Sequence, residues 1–326
     1  MTTVIPVASG KGGVGKTVLA ANLGICLSSL GKVVVLVDLD LGGSNLHTLL
    51  GIRNRHPGIG DWLAPGDSAA TVESLVIETE YPRLYFIPGD GLLPGTANLP
   101  FFRKKRLLKE IEALTADYVI VDLGGGSAYN TVDLFLVSHA GLVVTIPEAT
   151  AVLNAYAFLK TTVYRLLQRT FPAGSQPRAL VQETFTHSIE RATNPIAALA
   201  ERLRQVDDRA ATLLGEQLAS FLPRIVVNRT RTREDVAIGA KLREIVRKNL
   251  RVEVEYVGLT PFDEAVELSV ARRKPACALY PRSAFARSIA AVATRIAETL
   301  PREGPRLVDD DGDLAALSDA FLPGRE

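Results

Sequence analysis

This chain of 326 residues contains few cysteines and has a net charge close to zero. The first observation argues against a disulfide-stabilised protein, and the second gives no support for a highly charged one. With only two cysteines, Cys26 and Cys277, the fold does not rest on a disulfide framework, which suits a reducing compartment. The formal net charge of +1 gives no whole-chain reason to expect a nucleic-acid or membrane partner.

The sequence also lacks the long apolar segments of membrane and secreted proteins. It contains no run of about 18 apolar residues, which a membrane-spanning helix requires, and it does not open with a basic and then apolar secretion signal. Hydrophobic residues nevertheless make up 47% of the chain, which is enough for a full core. We therefore expect a cytoplasmic protein, with recruitment to a pole, the nucleoid or a membrane surface left open.

A glycine-rich loop lies close to the start of the chain. The stretch from Gly10 to Thr17 fits the phosphate-binding pattern G-x-x-x-x-G-K-[ST], and a predicted strand, Val4 to Ala8, precedes it. In such a loop the backbone N–H groups surround a phosphate, the lysine reaches the β- and γ-phosphates and the hydroxyl ligates Mg²⁺. The predicted nucleotide-binding residues are Gly10, Lys11, Gly12, Gly13, Val14, Gly15, Lys16, Thr17 and Val18.

Two further buried strands are predicted to end in carboxylates. The run from Val33 to Asp38 leads on to Asp40, and the run from Tyr118 to Asp122 has the Walker-B pattern. The carboxyl ends of parallel strands meet at the edge of the sheet where ligands bind, so these carboxylates should face the phosphates. Asp122 is predicted to bind the Mg²⁺ shell.

Lys11, the second residue of the loop, indicates which class of phosphate-binding-loop protein this is. The K-G-G-V-G-K-T segment from Lys11 resembles the deviant Walker-A ATPases of the MinD/ParA family, and Asp38 to Asn45 matches their second signature, D-x-D-x-x-x-x-N. The resemblance implies an ATP-bound dimer in which Lys11 touches the partner's phosphates. It also implies that Asp38 holds Mg²⁺ through water and that Asp40 polarises the attacking water. The predicted catalytic residues are Lys11, Lys16 and Asp40, and the predicted metal-binding residues are Thr17, Asp38 and Asp122.

Later segments resemble the FlhG/FleN branch, the MinD-like regulators of flagellar number. Pro147 to Tyr156 matches the branch pattern Pro-Glu-x-Thr-x-x-x-x-Ala-Tyr, and related dimers imply that Glu148 approaches the nucleotide from across the interface. The resemblance further implies that Asn228, at a strand end, hydrogen-bonds the adenine. It places Pro261 and Phe262 in the loop beside the base.

The alternation of strands and helices predicts one P-loop ATPase domain, residues 1–300, with a doubly wound, mostly parallel sheet of the SIMIBI type. A helical insertion at about residues 170–222 departs from the family. Its apolar seam predicts either a hairpin packed on its own domain or a docking surface for an unidentified protein partner. Residues 301–326 are predicted to form an acidic, flexible tail. The seam residues are Ile196, Leu199, Leu203, Val206, Ala210 and Leu213.

Two predictions concern local structure. The stretch from Leu123 to Ser127 indicates either a flexible switch loop near the γ-phosphate or a simple tight turn. The segment from Leu99 to Leu114 indicates an amphipathic helix with Phe102 turned inward.

These patterns together predict Mg²⁺-dependent hydrolysis of ATP, coupled to an ATP-dependent homodimer that acts as a spatial switch for flagella, a polar structure or the division site. One alternative is a ParA-like partition ATPase that binds non-specific DNA through the basic residues 229–251. The other is a scaffold that binds nucleotide without hydrolysis. The acidic tail does not support membrane binding, because anionic lipids repel it.

Overall fold

The computed structural model describes residues 2–41, 43–53, 55–64, 71–89, 101–187 and 194–298. The strands of these residues are β1 (Thr3–Ser9), β2 (Val34–Leu39), β3 (Ile77–Glu78), β4 (Leu84–Ile87), β5 (Tyr118–Gly125), β6 (Leu142–Thr145), β7 (Arg224–Thr230) and β8 (Glu255–Pro261). The helices are α1 (Lys16–Ser29), α2 (Leu46–Leu49), α3 (Ile59–Leu63), α4 (Phe101–Glu112), α5 (Tyr129–Phe135), α6 (Ala149–Thr170), α7 (Gln176–His187), α8 (Pro195–Val206), α9 (Asp208–Ser220), α10 (Asp235–Leu250), α11 (Glu264–Ala271), α12 (Ala276–Leu279) and α13 (Ala284–Glu298).

The described strands form one sheet in the order β3-β4-β2-β5-β1-β6-β7-β8. Every neighbouring pair is parallel except β3 with β4, which is antiparallel at one edge. One face packs against α1 and α13, and the other against α4, α5, α6 and α10, while α8 and α9 pack on the outside of α6 and α10. The central strands are apolar on both faces because helices cover both, so the prediction of a doubly wound, mostly parallel sheet is confirmed.

The order of the central strands brings three separate chain segments to one edge of the sheet. Strand β5 lies between β2 and β1, and its register places Asp122 beside Asp38 on one side and Val7 on the other. The loop that leaves β1 therefore sits directly above the carboxyl ends of β2 and β5. This is the crevice where ligands of open α/β sheets bind.

Strand β5 is longer than the sequence pattern indicates. It continues through Gly125, which pairs with Ser9 of β1, and the N–H of Gly126 donates to the Ser9 carbonyl at 2.9 Å. The expected loop after Asp122 is therefore strand for three more residues, and the turn comes at Gly126, where φ is 92°. Glycines have weak strand propensity, so sequence alone underestimates this extension.

The predicted amphipathic helix is present as α4, but the prediction that Phe102 points inward is wrong. Leu107 and Ile111 are fully buried, whereas Phe102, which we expected to point inward, is 67% exposed. Phe102 lies in the first turn, where the helix has only begun to pack against the sheet.

Helices α7, α8 and α9 occupy much of the segment expected to be a helical insertion. The sequence did not predict α7, because its apolar pattern is weak and Val181 is its fully buried apolar residue. Asn194 caps α8 by accepting from the Ala197 N–H, and Asp207 breaks the seam and caps α9. The division of the chain into domain, insertion and tail stays a prediction, and the tail lies outside the described residues.

The inner face of the insertion is covered by its own domain. Ile196, Leu199 and Leu203 are fully buried among α6, α7, α9 and α10, and Ala210 is 4% exposed. Of the two alternatives for the seam, the structure therefore has the hairpin packed on its own domain. Val206 is the seam position that stays exposed.

Candidate nucleotide-binding site

The glycine-rich loop joins β1 to α1 as the sequence predicts. Gly13 and Gly15 adopt left-handed φ values of 81° and 88°, which glycine reaches without strain, and α1 begins at Lys16 immediately afterwards. Gly10 is needed for another reason, because a Cβ there would collide with the backbone carbonyl of Asn154 in α6. The helix N-terminus and its N–H groups point into the crevice, an arrangement suited to an anion.

Asn228, near the end of β7, contacts this loop from a strand that is separated from β1 by β6. Its Nδ2 donates to the Val14 carbonyl at 2.7 Å, and its Oδ1 accepts from the Thr260 hydroxyl at 2.6 Å. A Cβ at Gly15 would collide with the same amide, so the two residues are in close contact. The amide has a second N–H beyond the one bonded to Val14, so it can donate one further hydrogen bond.

Asp38 is fully buried at the end of β2 and is held by three donors. The Ser44 hydroxyl donates to Oδ2 at 2.6 Å, the Leu46 N–H donates to Oδ2 at 3.1 Å, and the Asp40 N–H donates to Oδ1 at 3.1 Å. Burial raises the pKa of Asp38 above its usual range, and these hydrogen bonds only partly oppose it. Ser44 and Leu46 were not predicted as site residues, and the signature that contains Ser44 gave no separate signal for them.

Asp122 lies beside Asp38 and is paired with the loop lysine. Its Oδ1 accepts from the Lys16 ammonium at 3.0 Å, while no described residue donates a hydrogen bond of normal length to Oδ2, which is buried. Burial raises the pKa of Asp122 to about 6, against the opposing charge of Lys16 and a hydrogen bond from Thr17, with Asp38 adding to the rise. A buried carboxylate oxygen without a partner indicates a place for a further positive group.

The charge of this cluster is unbalanced. Asp38, Asp40 and Asp122 supply three negative charges, and Lys16 supplies one positive charge, with its Nζ 3.0 Å from Asp122 and 4.0 Å from Asp40. Two negative charges remain, which a divalent cation would neutralise. All the oxygens are of the hard type that Mg²⁺ prefers, so the donor set fits this ion.

Lys11 and Glu148 meet within the same chain. The Lys11 ammonium lies 2.8 Å from Glu148 Oε2, and both side chains are partly exposed. The Ser9 hydroxyl donates to the Lys11 carbonyl at 2.8 Å and fixes the start of the loop. The resemblance assigned both residues to contacts across a dimer interface, and in this single chain each is engaged with the other.

A second cleft opens beside the loop and brings together the residues predicted to contact the base. Gly15, Val18 and Asn228 line one side, and Pro261 and Phe262 line the other. The sequence did not predict Arg229 as part of the lining of this cleft. Arg231 lies outside the lining, and its guanidinium lies 3.9 Å from the centre of the Phe262 ring.

The loop, the strand-end carboxylates and the doubly wound sheet define a P-loop nucleotide-binding protein. The family model described as "CobQ/CobB/MinD/ParA nucleotide binding domain" matches residues 5–276, and the chain belongs to this family of MinD/ParA-type ATPases.

Known proteins with similar sequences are consistent with this family. The chain is 26% identical over 301 residues to the antiactivator FleN of Pseudomonas aeruginosa, covering 90% of this chain and 85% of that protein. It is 36% identical over 159 residues to the septum site-determining protein MinD of Synechocystis, which is 48% of this chain and 57% of that protein. It is 33% identical over 164 residues to the flagellum site-determining protein YlxH of Helicobacter pylori, spanning about half of each protein, 49% and 53%.

Solved structures share the fold. The septum site-determining protein MinD of Pyrococcus horikoshii, complexed with Mg-ADP, matches with a TM-score of 0.59 at 18% identity, covering 91% of this chain and 97% of that one. The MinC:MinD cell division complex of Aquifex aeolicus matches with a TM-score of 0.57 at 23% identity, covering 93% and 100%.

Proposed function

We propose that this chain hydrolyses ATP with Mg²⁺, dimerises when ATP is bound, and serves as a switch that positions flagella, a polar structure or the division site. The observation that carries the chemistry is the convergence of Lys16, Asp38 and Asp122 at one edge of the sheet, with excess negative charge. The similarity to the septum site-determining protein MinD and the flagellum site-determining protein YlxH, each over about half of this chain, supports the positioning role.

The loop would bind and orient the triphosphate. Its N–H groups and the α1 N-terminus would hold the phosphates, and Lys16 would exchange its contact with Asp122 for the β- and γ-phosphates. Asp40, whose Oδ2 lies 4.0 Å from the Lys16 ammonium, would orient and polarise the attacking water. Most of the rate enhancement in such a site comes from positioning and charge neutralisation.

Thr17, Asp38 and Asp122 would hold Mg²⁺, directly or through water. When bound, the ion neutralises charge on the phosphate oxygens and helps orient them. Two observations support this assignment: Asp38 and Asp122 are buried side by side, and no described residue donates a hydrogen bond of normal length to Asp122 Oδ2.

The dimer would require Lys11 to leave Glu148 and to reach the nucleotide of a second copy. The end of β5 is placed to couple this step to the nucleotide, because a Cβ at Gly125 would lie 3.1 Å from the Gly12 N–H nitrogen. A γ-phosphate bound above Gly12 would therefore act directly on the turn at Gly126. That turn would then serve as the switch element.

Phosphate release by purified protein tests the chemistry. Lys16→Ala should abolish nucleotide binding or reduce turnover about a hundredfold or more, and Asp40→Ala should bind ATP, fail to hydrolyse it and accumulate as a dimer. Lys109→Ala, an exposed lysine of α4, is the matched control and should retain wild-type turnover. Undiminished hydrolysis by Lys16→Ala would refute the assignment.

A ParA-like DNA partition ATPase is the alternative function. Helix α10 carries exposed basic side chains such as Lys241, Arg247 and Lys248, which is the feature that such a protein would need. Binding to non-specific duplex DNA that requires ATP and weakens with salt would identify it. A nucleotide-binding scaffold would instead show ATP-dependent dimers and no phosphate release.

We retain the prediction that a protein partner docks on the insertion, now restricted to its outward faces because the seam is buried. Arg204 and Leu222 line an outward groove of about 390 Å³ between α8 and α9. Arg204→Glu should abolish pull-down of a partner without changing phosphate release. Retention of the same partner by this variant would exclude the groove.

A further inference from the structure

A cavity lined by basic side chains lies away from the glycine-rich loop, between α2 and the turn after α11. It has a volume of about 420 Å³, within the range of small-ligand sites. No Asp or Glu of the described residues lines it. We call it the arginine pocket, and it is lined by His47, Thr48, Gly51, Ile52, Arg53, Arg55 and Arg273.

The three guanidinium groups of the arginine pocket, those of Arg53, Arg55 and Arg273, have no ion-pair partner among the described residues. The neighbours of Arg273 differ, since Lys274 pairs with Glu80 at 3.0 Å and Arg272 lies 6.0 Å from the centre of the Tyr280 ring. Three like charges around one cavity repel one another, so an anion would stabilise the arrangement.

Arg273 also stands where glycine would be less strained. Its φ is 54°, a left-handed value at the C-terminal end of α11, and its carbonyl packs so closely on Gly51 that a Cβ there would lie 3.1 Å away. Glycine is the residue favoured at such a helix end. The backbone at Arg273 is therefore strained, as it is at Arg83, Arg229 and Arg251, and glycine would relieve that strain.

The arginine pocket and the nucleotide site both adjoin α2, whose residues His47 and Thr48 line the pocket. The N–H of Leu46, the first residue of α2, donates to Asp38, whereas Gly51 follows the last turn and lines the pocket. Four residues of helix rise about 6 Å, so the sites are neighbours without sharing a residue.

We propose that the arginine pocket binds a small anion that carries several phosphate groups. The planar guanidinium fork pairs bidentately with phosphate oxygens, and three forks match an anion with three or more negative charges. The Thr48 hydroxyl adds a neutral donor at the same wall. The concave shape suits a small molecule better than an extended polymer.

Calorimetric titration with sodium tripolyphosphate tests this proposal, and stoichiometry separates the two sites. Wild-type protein should bind two equivalents, one in the glycine-rich loop and one in the pocket, and Lys16→Ala should bind one. In the Lys16→Ala background, Arg53→Gln and Arg273→Gly should each weaken the remaining site about tenfold. Arg209→Gln, an exposed arginine of α9 with the same charge change, is the control and should leave it unchanged.

The Arg273→Gly variant should melt at or above the temperature of its parent, because glycine relieves the left-handed strain, so lost binding cannot be attributed to lost folding. Absence of binding to Lys16→Ala, or equal weakening by Arg209→Gln, would overturn the proposal. Equally tight binding of citrate would overturn the phosphate class. Binding of duplex DNA that depends on Arg273, without binding of tripolyphosphate, would replace the small anion by nucleic acid.

Discussion

Lys11 and Glu148 form a 2.8 Å ion pair within one chain although 137 residues separate them. The bond joins the glycine-rich loop to the residue that precedes α6. Because an ATP-bound dimer would need Lys11 at the partner's nucleotide, this contact competes with dimerisation.

Glu148→Gln should therefore strengthen the ATP-dependent dimer. The partly exposed Lys11–Glu148 ion pair stabilises the monomer by up to about 1 kcal/mol. Without it Lys11 is released for the partner, so the dimer dissociation constant should fall by up to about fivefold. Lys11→Ala should stay monomeric with ATP. Light scattering against ATP concentration measures both, with the exposed Glu216→Gln as control. A weaker dimer in Glu148→Gln would show that Glu148 acts across the interface instead.

Asp133 holds three helices together through buried charges. The Arg165 Nε lies 2.6 Å from its Oδ1, Arg169 lies 2.8 Å from the same oxygen, and Lys104 contacts Oδ2. Asp133→Asn should destabilise the protein by about 3–5 kcal/mol, because three cations would lose their buried partner. Urea unfolding measures the change, and the exposed Asp208→Asn is the control. A loss below about 1 kcal/mol would contradict this role.

The same residue predicts a pH dependence. Burial raises the pKa of Asp133, but hydrogen bonds from Arg165 and Lys104 and the charge of Arg169 outweigh it, so the net pKa lies below the ordinary 3.8. A carboxylate with a lowered folded-state pKa stabilises the fold above its unfolded pKa and loses that effect as pH falls through the folded pKa. The stability gap between wild type and Asp133→Asn should be constant near neutral pH and should narrow below about pH 4. A gap that widens in acid would refute the assignment.

Asn228→Ala should weaken nucleotide binding. The substitution removes the donor to the Val14 carbonyl and the acceptor of the Thr260 hydroxyl, so the loop loses its support from β7. We expect about a tenfold rise in the dissociation constant for ADP, measured by calorimetry. Gln182→Ala, on the exposed side of α7, is the control. Unchanged affinity would remove Asn228 from the site.

Leu199→Ala should destabilise the protein by about 2–5 kcal/mol, because Leu199 is fully buried beneath the insertion. Val206→Ala, at the exposed seam position, is the matched control and should cost less than about 0.5 kcal/mol. Thermal unfolding distinguishes them. For the same reason, replacing the insertion by a short linker should expose core surface and impair folding. If Leu199→Ala melted at the same temperature as wild type, the seam would be better explained as a partner surface than as part of the core.

The nucleotide site was predictable because its information is local. The pattern from Gly10 to Thr17 and the apolar runs that lead to Asp38 and Asp122 are contiguous segments, in which residue spacing indicates backbone geometry directly. The parallel sheet then follows from alternating strands and helices, and it brings the strand ends to one edge.

Other contacts could be identified only from the tertiary structure. They join segments that are distant in the chain, and no sequence pattern links their side chains. Sequence indicated that Asn228 ends a strand, but only the fold showed its bond to Val14, 214 residues away. Lys11 and Glu148 could each be assigned to a dimer contact, and only packing brought them together. The seam of α8 was readable from its period, whereas its burial depended on which helices lay opposite it. Arg273 joined Arg53 and Arg55 because two helix ends meet there, a meeting that long-range packing energy decides and local propensity does not.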